Sequence, residues 1–344
     1  MFNIIEILTV LIGTLVGAGF ASGKEIYLFF SQYGKEGLVG IILTVVMIYL
    51  TIYYTIVITK RFNINNNMEF IKVISKNIII RNILRNTIII FLIISFWVMC
   101  AGIATFFKEK LEIPIIISLV INSIIVYCLL EKNIEGIMNF NIVVVPVMIL
   151  IIIIIATNKY QLIKINEINT ELNRNLGAII KAILYTSYNS ITLIPIVISI
   201  SSKVKNKKNS RIITFITSII ILILLLVIYK ILIFSPIDIK NKELPILSIV
   251  ENFSKKQTIL YSIVIVIAML TSAISALFGV IENIKSKKKH KNIIIFLCLL
   301  SIPISYIGFS NLIEIVYPVF GIIGIIEVIL ILKRGMSIAK KHKN

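Results

Sequence analysis

The sequence predicts an all-α polytopic membrane protein with ten transmembrane helices, arranged as a 5+5 inverted repeat in which helices 1 and 6 are broken. Three observations predict it. The chain is 58% hydrophobic and 15% charged, with a mean hydropathy of +1.01. That balance leaves too little polar surface to cover a water-soluble fold of 344 residues. The apolar residues also come in runs such as Ile88–Phe107 and Ile212–Phe234, each long enough to cross ~30 Å of hydrocarbon as a helix. Finally, the first and sixth of these runs are interrupted at matching places in two halves of the chain.

Ten spans are read at 4–31, 37–59, 84–107, 114–130, 139–157, 177–200, 212–234, 258–281, 293–308 and 312–332. Lipid offers the backbone no hydrogen-bond partner, so each must be helical. The first is too long: 28 residues would make a helix of about 42 Å. Near its middle lies Gly17-Ala18-Gly19-Phe20-Ala21-Ser22-Gly23, followed by Lys24-Glu25. Three glycines in seven residues each weaken a helix by about 1 kcal/mol relative to alanine. Two readings are open at these residues alone. Unwinding would free backbone groups at mid-membrane to hold an ion or a carboxylate. Alternatively, Gly13/Gly17 and Gly19/Gly23 are small-residue pairs at which two helices approach, and the span ends near Gly23.

The second span carries no interruption. In the third, Gly102 is flanked by Trp97, Cys100 and Ala101, and either lines a cavity or marks a helix contact. The sixth contains Tyr185-Thr186-Ser187-Tyr188-Asn189-Ser190, a polar run that must face a cavity or another helix. Pro195 follows and weakens the local hydrogen-bond ladder. Between spans seven and eight, Ile246–Phe253 is amphipathic after Pro245, and fits either a short surface helix acting as an outer lid or a connecting loop. Glu6, Glu282, Glu314 and Glu327 are expected to be solvated or to snorkel. The chain thus divides into a first repeat (1–157), an outer loop (158–176), a second repeat (177–332) and a basic tail (333–344).

The net charge is +19, but it does not form a nucleic-acid face. With the amino terminus in the cytoplasm, 22 of the 35 basic residues fall in cytoplasmic segments and ten in outer loops. This asymmetry places both termini in the cytoplasm and the chain in the cell membrane as a multi-pass protein. Its expected partners are the lipid bilayer and a small-molecule substrate, with no nucleic acid. Cys100, Cys128 and Cys298 sit inside apolar runs without metal-type spacing and read as small buried hydrophobes. The two histidines, His290 and His342, lie in basic segments. No nucleophile motif or phosphate-cradling loop accompanies them, so an enzyme is not expected. The first apolar run continues into polytopic sequence without a cleavage site of signal-peptide type.

Gly17 through Glu25, with Phe29-Phe30, Tyr33-Gly34 and Gly37, resembles the opening of the YkvI-like bacterial membrane proteins, of the amino acid–polyamine–organocation superfamily. Ser187-Tyr188-Asn189 and the ten-span length fit the same resemblance, although Lys24 stands where glutamine is expected. The resemblance implies a LeuT-type fold, in which spans one, two, six and seven rock against three, four, eight and nine. It places substrate among Gly17, Ala18, Gly19, Phe20, Ala21, Ser22, Gly23, Glu25, Gly102, Tyr185, Tyr188 and Asn189.

Leu270-Thr271-Ser272-Ala273-Ile274 likewise resembles the sodium-binding stretch of LeuT-type symporters, and Gly13 to Gly19 the matching stretch of span one. Carried over, a sodium ion takes the carbonyls of Gly13, Val16 and Ala268 and the hydroxyls of Thr271 and Ser272. Five neutral oxygens suit a monovalent hard cation. The plain alternative is that these hydroxyls bond carbonyls of their own helix.

The implied activity is sodium-coupled symport of an amino acid or related zwitterion by alternating access, with no cofactor beyond the coupling ion. Two alternatives stay open: a receptor of the same fold that binds without transport, and proton coupling through Glu25.

Overall fold

Glycine decides how the chain begins. The computed structural model describes residues 4–131, 146–147, 149–157, 172–204, 206–235, 237–282 and 287–341. Helix α1 (Ile4–Leu15) stops where Val16 and Gly17 leave helical geometry, and the five-residue α2 (Ala18–Ser22) follows. Gly23 then takes a left-handed conformation (φ 81°), which glycine adopts without a Cβ penalty. It redirects the chain into α3 (Lys24–Phe29). The first span is therefore broken twice, at Val16–Gly17 and at Gly23.

The other helices are α4 (Glu36–Arg61), α5 (Asn67–Ile74), α6 (Ile78–Leu111), α7 (Ile115–Glu131), α8 (149–156), α9 (Leu172–Ser201), α10 (Lys207–Ile233), α11 (Pro245–Glu251), α12 (Lys255–Glu282), α13 (Lys287–Ser305) and α14 (Phe309–Lys341). Side-chain caps begin several of them. Asn66, Asn77 and Asn206 each accept a backbone N–H from the first turn of α5, α6 and α10. Among the described residues, six helices are long and apolar enough to cross a membrane, and Ile4–Leu15, Ile115–Cys128 and His290–Ser305 are apolar but shorter. The fifth expected span, 139–157, lies partly outside the described residues, as does the outer loop 158–176 apart from its end.

One expectation fails. Span six is not broken: α9 runs continuously through Tyr185–Ser190 and past Pro195. The polar run satisfies itself within the helix. Thr186 Oγ1 donates to Ala182 O (3.1 Å), Asn189 Nδ2 to Tyr185 O (2.9 Å) and Ser190 Oγ to Thr186 O (2.7 Å). Polar side chains that back-bond to the preceding turn leave the ladder intact, so their presence does not require unwinding.

Packing sorts most helices into two groups, and α14 bridges them, packing on α9 and α4 and also on α6. α6 packs on α12, α7 and α13, and α7 packs on α12 and α13. α9 packs on α4, α14 and α1, and α10 packs on α4 and α1. Small residues permit the closest approaches. A Cβ on Gly40 would lie 3.1 Å from Ala178 O, and one on Gly321 would lie 2.8 Å from Leu184 O. A second apolar cluster, with Ile58, Phe70, Ile71, Ile194, Ile198 and Ile331, seals the far ends of α4, α9 and α14 against α5.

Segment 246–253, read as either a surface helix or a loop, contains a buried helix. Pro245 starts α11 at its first position, and all residues from Pro245 to Val250 are buried. α11 packs on α2 and α12. Ile246 fills the space where Gly23 lacks a side chain: a Cβ there would lie 2.6 Å from Ile246 Cγ1.

Candidate functional site

The break in the first span places a carboxyl inside the bundle. Glu25, in the first turn of α3, is 6% exposed, and its Oε2 accepts the Tyr188 hydroxyl of α9 at 2.9 Å. Gly19 makes room for it, since a Cβ there would lie 2.6 Å from Glu25 Cδ. Lys24 does not neutralise Glu25. Its Nζ turns the other way and donates to the carbonyls of Lys240 (3.0 Å) and Lys242 (3.1 Å). Burying an ionised carboxyl without a counter-charge costs several kcal/mol. A carboxyl held in this way can take up a proton or accept a cation.

Glu25 and Tyr188 line a cavity of about 510 Å³. From that pair it runs along α1 past Gly13 to Thr9, and along α9 past Asn189 and Thr192 to Pro195 and Ile196. α6 contributes Phe91, Ser95 and Met99, α12 contributes Ser272 and Ser275, and α14 contributes Tyr317. The wall is mostly apolar; its one carboxyl sits by the helix break, and hydroxyls such as those of Thr9, Ser95 and Thr192 are spread along its length. Aromatic rings close one end. Tyr188 lies 4.7 Å from Tyr317 and 5.4 Å from both Phe29 and Tyr185, centroid to centroid, and Phe30 lies 5.0 Å from Tyr185.

Beyond the rings, the segment around α11 covers the break. Tyr261 of α12 donates its hydroxyl to Ala21 O. Glu243 Oε2 accepts the backbone N–H of Ser310 at 2.6 Å, and Glu251 pairs with Lys110 at 2.6 Å. With the two Lys24 bonds, these contacts tie the cover to α3, α6 and α14.

Of the expected substrate residues, Gly17, Gly19, Glu25, Tyr188 and Asn189 line the cavity together. Phe20, Ala21, Ser22 and Gly23 are buried beneath α11 and α12, Ala18 lies in α2, and Tyr185 stands behind Tyr188 in the aromatic cluster. Gly102 does not line the cavity. It is a helix contact, where a Cβ would meet Met269 Sδ and Phe309 Cδ2 at 3.0 Å each. Of the expected sodium ligands, Gly13 and Ser272 line the cavity, while Val16, Ala268 and Thr271 are buried. Thr271 Oγ1 donates to Ala268 O at 3.1 Å, the own-helix bond that the plain alternative describes.

Sequence reading missed Phe91, Met99, Ser275 and Tyr317 as lining residues, because apolar helices give no sign of which flank faces inward. It also misjudged Glu327, which is buried in α14 at 1% exposure, whereas Glu6 and Glu314 are exposed as expected. Cys100 and Cys298 are buried, but Cys128 is exposed. Among the described residues no group of three or more His, Cys, Asp or Glu side chains is placed to hold a metal ion.

No protein-family model matches the chain. It is 25% identical over 327 residues to the uncharacterised membrane protein YkvI of Bacillus subtilis, covering 92% of this chain and 91% of that protein. It is 24% identical over 326 residues to YyaD of the same organism, covering 92% of each. Among solved structures, it resembles a mutant of the manganese transporter of Eremococcus coleocola, with a TM-score of 0.58 and 13% identity, over 95% of this chain and 78% of that one. This likeness shows a shared fold.

Proposed function

We propose that the chain is a secondary transporter, of the YkvI-like kind, that moves a small solute with an ammonium group, an amino acid or related zwitterion, by alternating access. The observation that carries this proposal is Glu25: a buried carboxyl at a helix break, facing a mostly apolar cavity and hydrogen-bonded to Tyr188. An ammonium group supplies the missing counter-charge, and aromatic faces beside it add cation–π attraction. The apolar wall suits a hydrophobic side chain. The carboxylate end of a zwitterion fits the backbone amides at the Gly17 break.

The manganese named for the structural neighbour is not carried over. A divalent ion needs several charged or imidazole ligands, and among the described lining residues Glu25 is the sole carboxylate. The ten-span, 5+5 layout is part of the proposal and is supported by the two packing groups and the shared fold. Cytoplasmic termini place the α11 cover outside and the Thr9–Pro195 end of the cavity inside, an inward-facing arrangement. Sodium coupling at Gly13, Val16, Ala268, Thr271 and Ser272 is the proposed energy source. Proton coupling is the second reading, favoured by the buried Glu25 carboxyl, whose partner among the described residues is the neutral Tyr188 hydroxyl.

The test is a thermal-unfolding screen of purified protein against neutral, acidic and basic amino acids and simple amines, with and without sodium. A solute that binds only the folded state raises the midpoint by mass action. A saturable rise with an apolar amino acid, lost in Glu25→Gln, is expected. A response confined to carboxylic acids that lack an amine would overturn the ammonium assignment.

A further inference from the structure

Glu327, on α14, is not among the residues that line the cavity. It is 1% exposed, and its Oε1 has no hydrogen-bond partner. Four hydroxyls in the neighbouring helices share this condition: Thr51, Thr55 and Thr59 of α4 and Ser187 of α9 are buried and unpartnered. Thr217 and Ser218 of α10 are also unpartnered, but most helical hydroxyls among the described residues are not. Thr14, Thr87, Thr186, Ser190 and Thr214 all bond the carbonyl one turn back, the ordinary resting place of such a group in an apolar helix.

Helix register turns Glu327, Thr51, Thr55 and Ser187 toward the α4–α9–α14 interface. A Cβ on Gly324 would lie 3.3 Å from Ser187 Cβ, so α14 touches α9 there. Glu327 follows three residues later on the same helical face. On α4, Gly40 approaches Ala178 and Thr44 Oγ1 donates to Ala182 O at 3.4 Å. Thr51 and Thr55 lie two and three turns further along that α9-facing side.

We propose that the α4–α9–α14 interface binds a monovalent metal cation on the Glu327 carboxylate, with hydroxyl oxygens from Thr51, Thr55 and Ser187. One carboxylate gives the site a charge of −1, which a monovalent ion cancels and a divalent ion exceeds. Hydroxyl and carboxylate oxygens are hard donors that suit such an ion. Unpartnered oxygens are costly when buried, and a bound cation satisfies several at once. The site is separate from the proposed sodium ligands on α1 and α12. It shares α9 with the substrate cavity: Ser187 faces this interface and its neighbour Tyr188 faces Glu25. Occupancy here therefore braces the helix that holds the cavity's tyrosine.

Thermal unfolding of the full chain, without solute, tests the site. N-methyl-glucamine is replaced by sodium, lithium or potassium at constant ionic strength. A saturable rise on the order of 5 °C with one of these ions is expected. It should persist in Thr271→Ala/Ser272→Ala, which removes the proposed α12 ligands, and vanish when Glu327→Gln is added to that background. Thr51→Val and Ser187→Ala keep side-chain bulk with less disturbance, and each should raise the half-saturating cation concentration at least ~3-fold, on loss of a hydrogen-bond-scale contact. Three outcomes would overturn the site: no cation response in the parent protein, a response abolished only by the α12 substitutions, or one unchanged by Thr51→Val and Ser187→Ala. The assay needs no transported solute, so failure of the transport proposal leaves the result interpretable.

Discussion

Three glycines within seven residues have three different duties. Gly19 borders the Glu25 carboxyl, Gly23 holds a left-handed turn against Ile246, and Gly17 has open space around its Cβ position in extended backbone. Gly19→Ala should therefore displace Glu25 and weaken solute binding at least ~10-fold, the effect of one lost charged contact. Gly17→Ala should fold as the parent does. Gly23→Ala should lower stability by about 1–2 kcal/mol through the positive φ alone, with the Ile246 overlap adding to that. Binding isotherms and unfolding midpoints of the three variants separate these duties. The glycine cluster was legible in the sequence because glycine weakens helices wherever it stands. Which carboxyl was buried was not. Glu25 sat beside that signal, but Glu327 lies in a span that is apolar on every side, so nothing in the pattern shows which way its face turns.

At the scale of elements, the chain treats its two polar interruptions differently. α1 to α3 break, because Gly17 and Gly23 reach extended and left-handed backbone at no steric cost. α9 runs on, and Thr186, Asn189 and Ser190 satisfy their polar groups on its own carbonyls without unwinding it. A polar run is therefore an ambiguous sign: the same residues serve a break or a buried interface, and only the neighbouring helices decide. The α11 cover was half legible, since Pro245 and the amphipathic stretch marked a helix start without showing that it is buried on α2. Lys24 ties this cover down through two carbonyls. Lys24→Met should release it and shift the population toward a state open on the α11 side. With the native cysteines replaced, a cysteine at Ser22, buried here, should then react with an impermeant maleimide several-fold faster. An unchanged rate would show that Lys24 does not hold the cover shut.

For the whole molecule, composition and run length were enough for an all-helical membrane protein, and α6, α7, α12 and α13 pack mainly on one another while α1, α4, α9 and α10 do the same, with α14 touching both groups. The cavity lies where they meet, between α1 and α9 on one side and α6 and α12 on the other. That position is what alternating access requires, because relative motion of the two groups exposes the same carboxyl to either face. A transporter and a receptor of this fold bind solute alike and differ in whether it crosses. Solute counterflow in proteoliposomes separates them: vesicles preloaded with an unlabelled apolar amino acid are diluted into a trace of the labelled compound. Transient accumulation of label is expected, and Glu25→Gln should abolish it. Saturable binding of the same amino acid to the purified protein, with no accumulation of label in the vesicles, would contradict it.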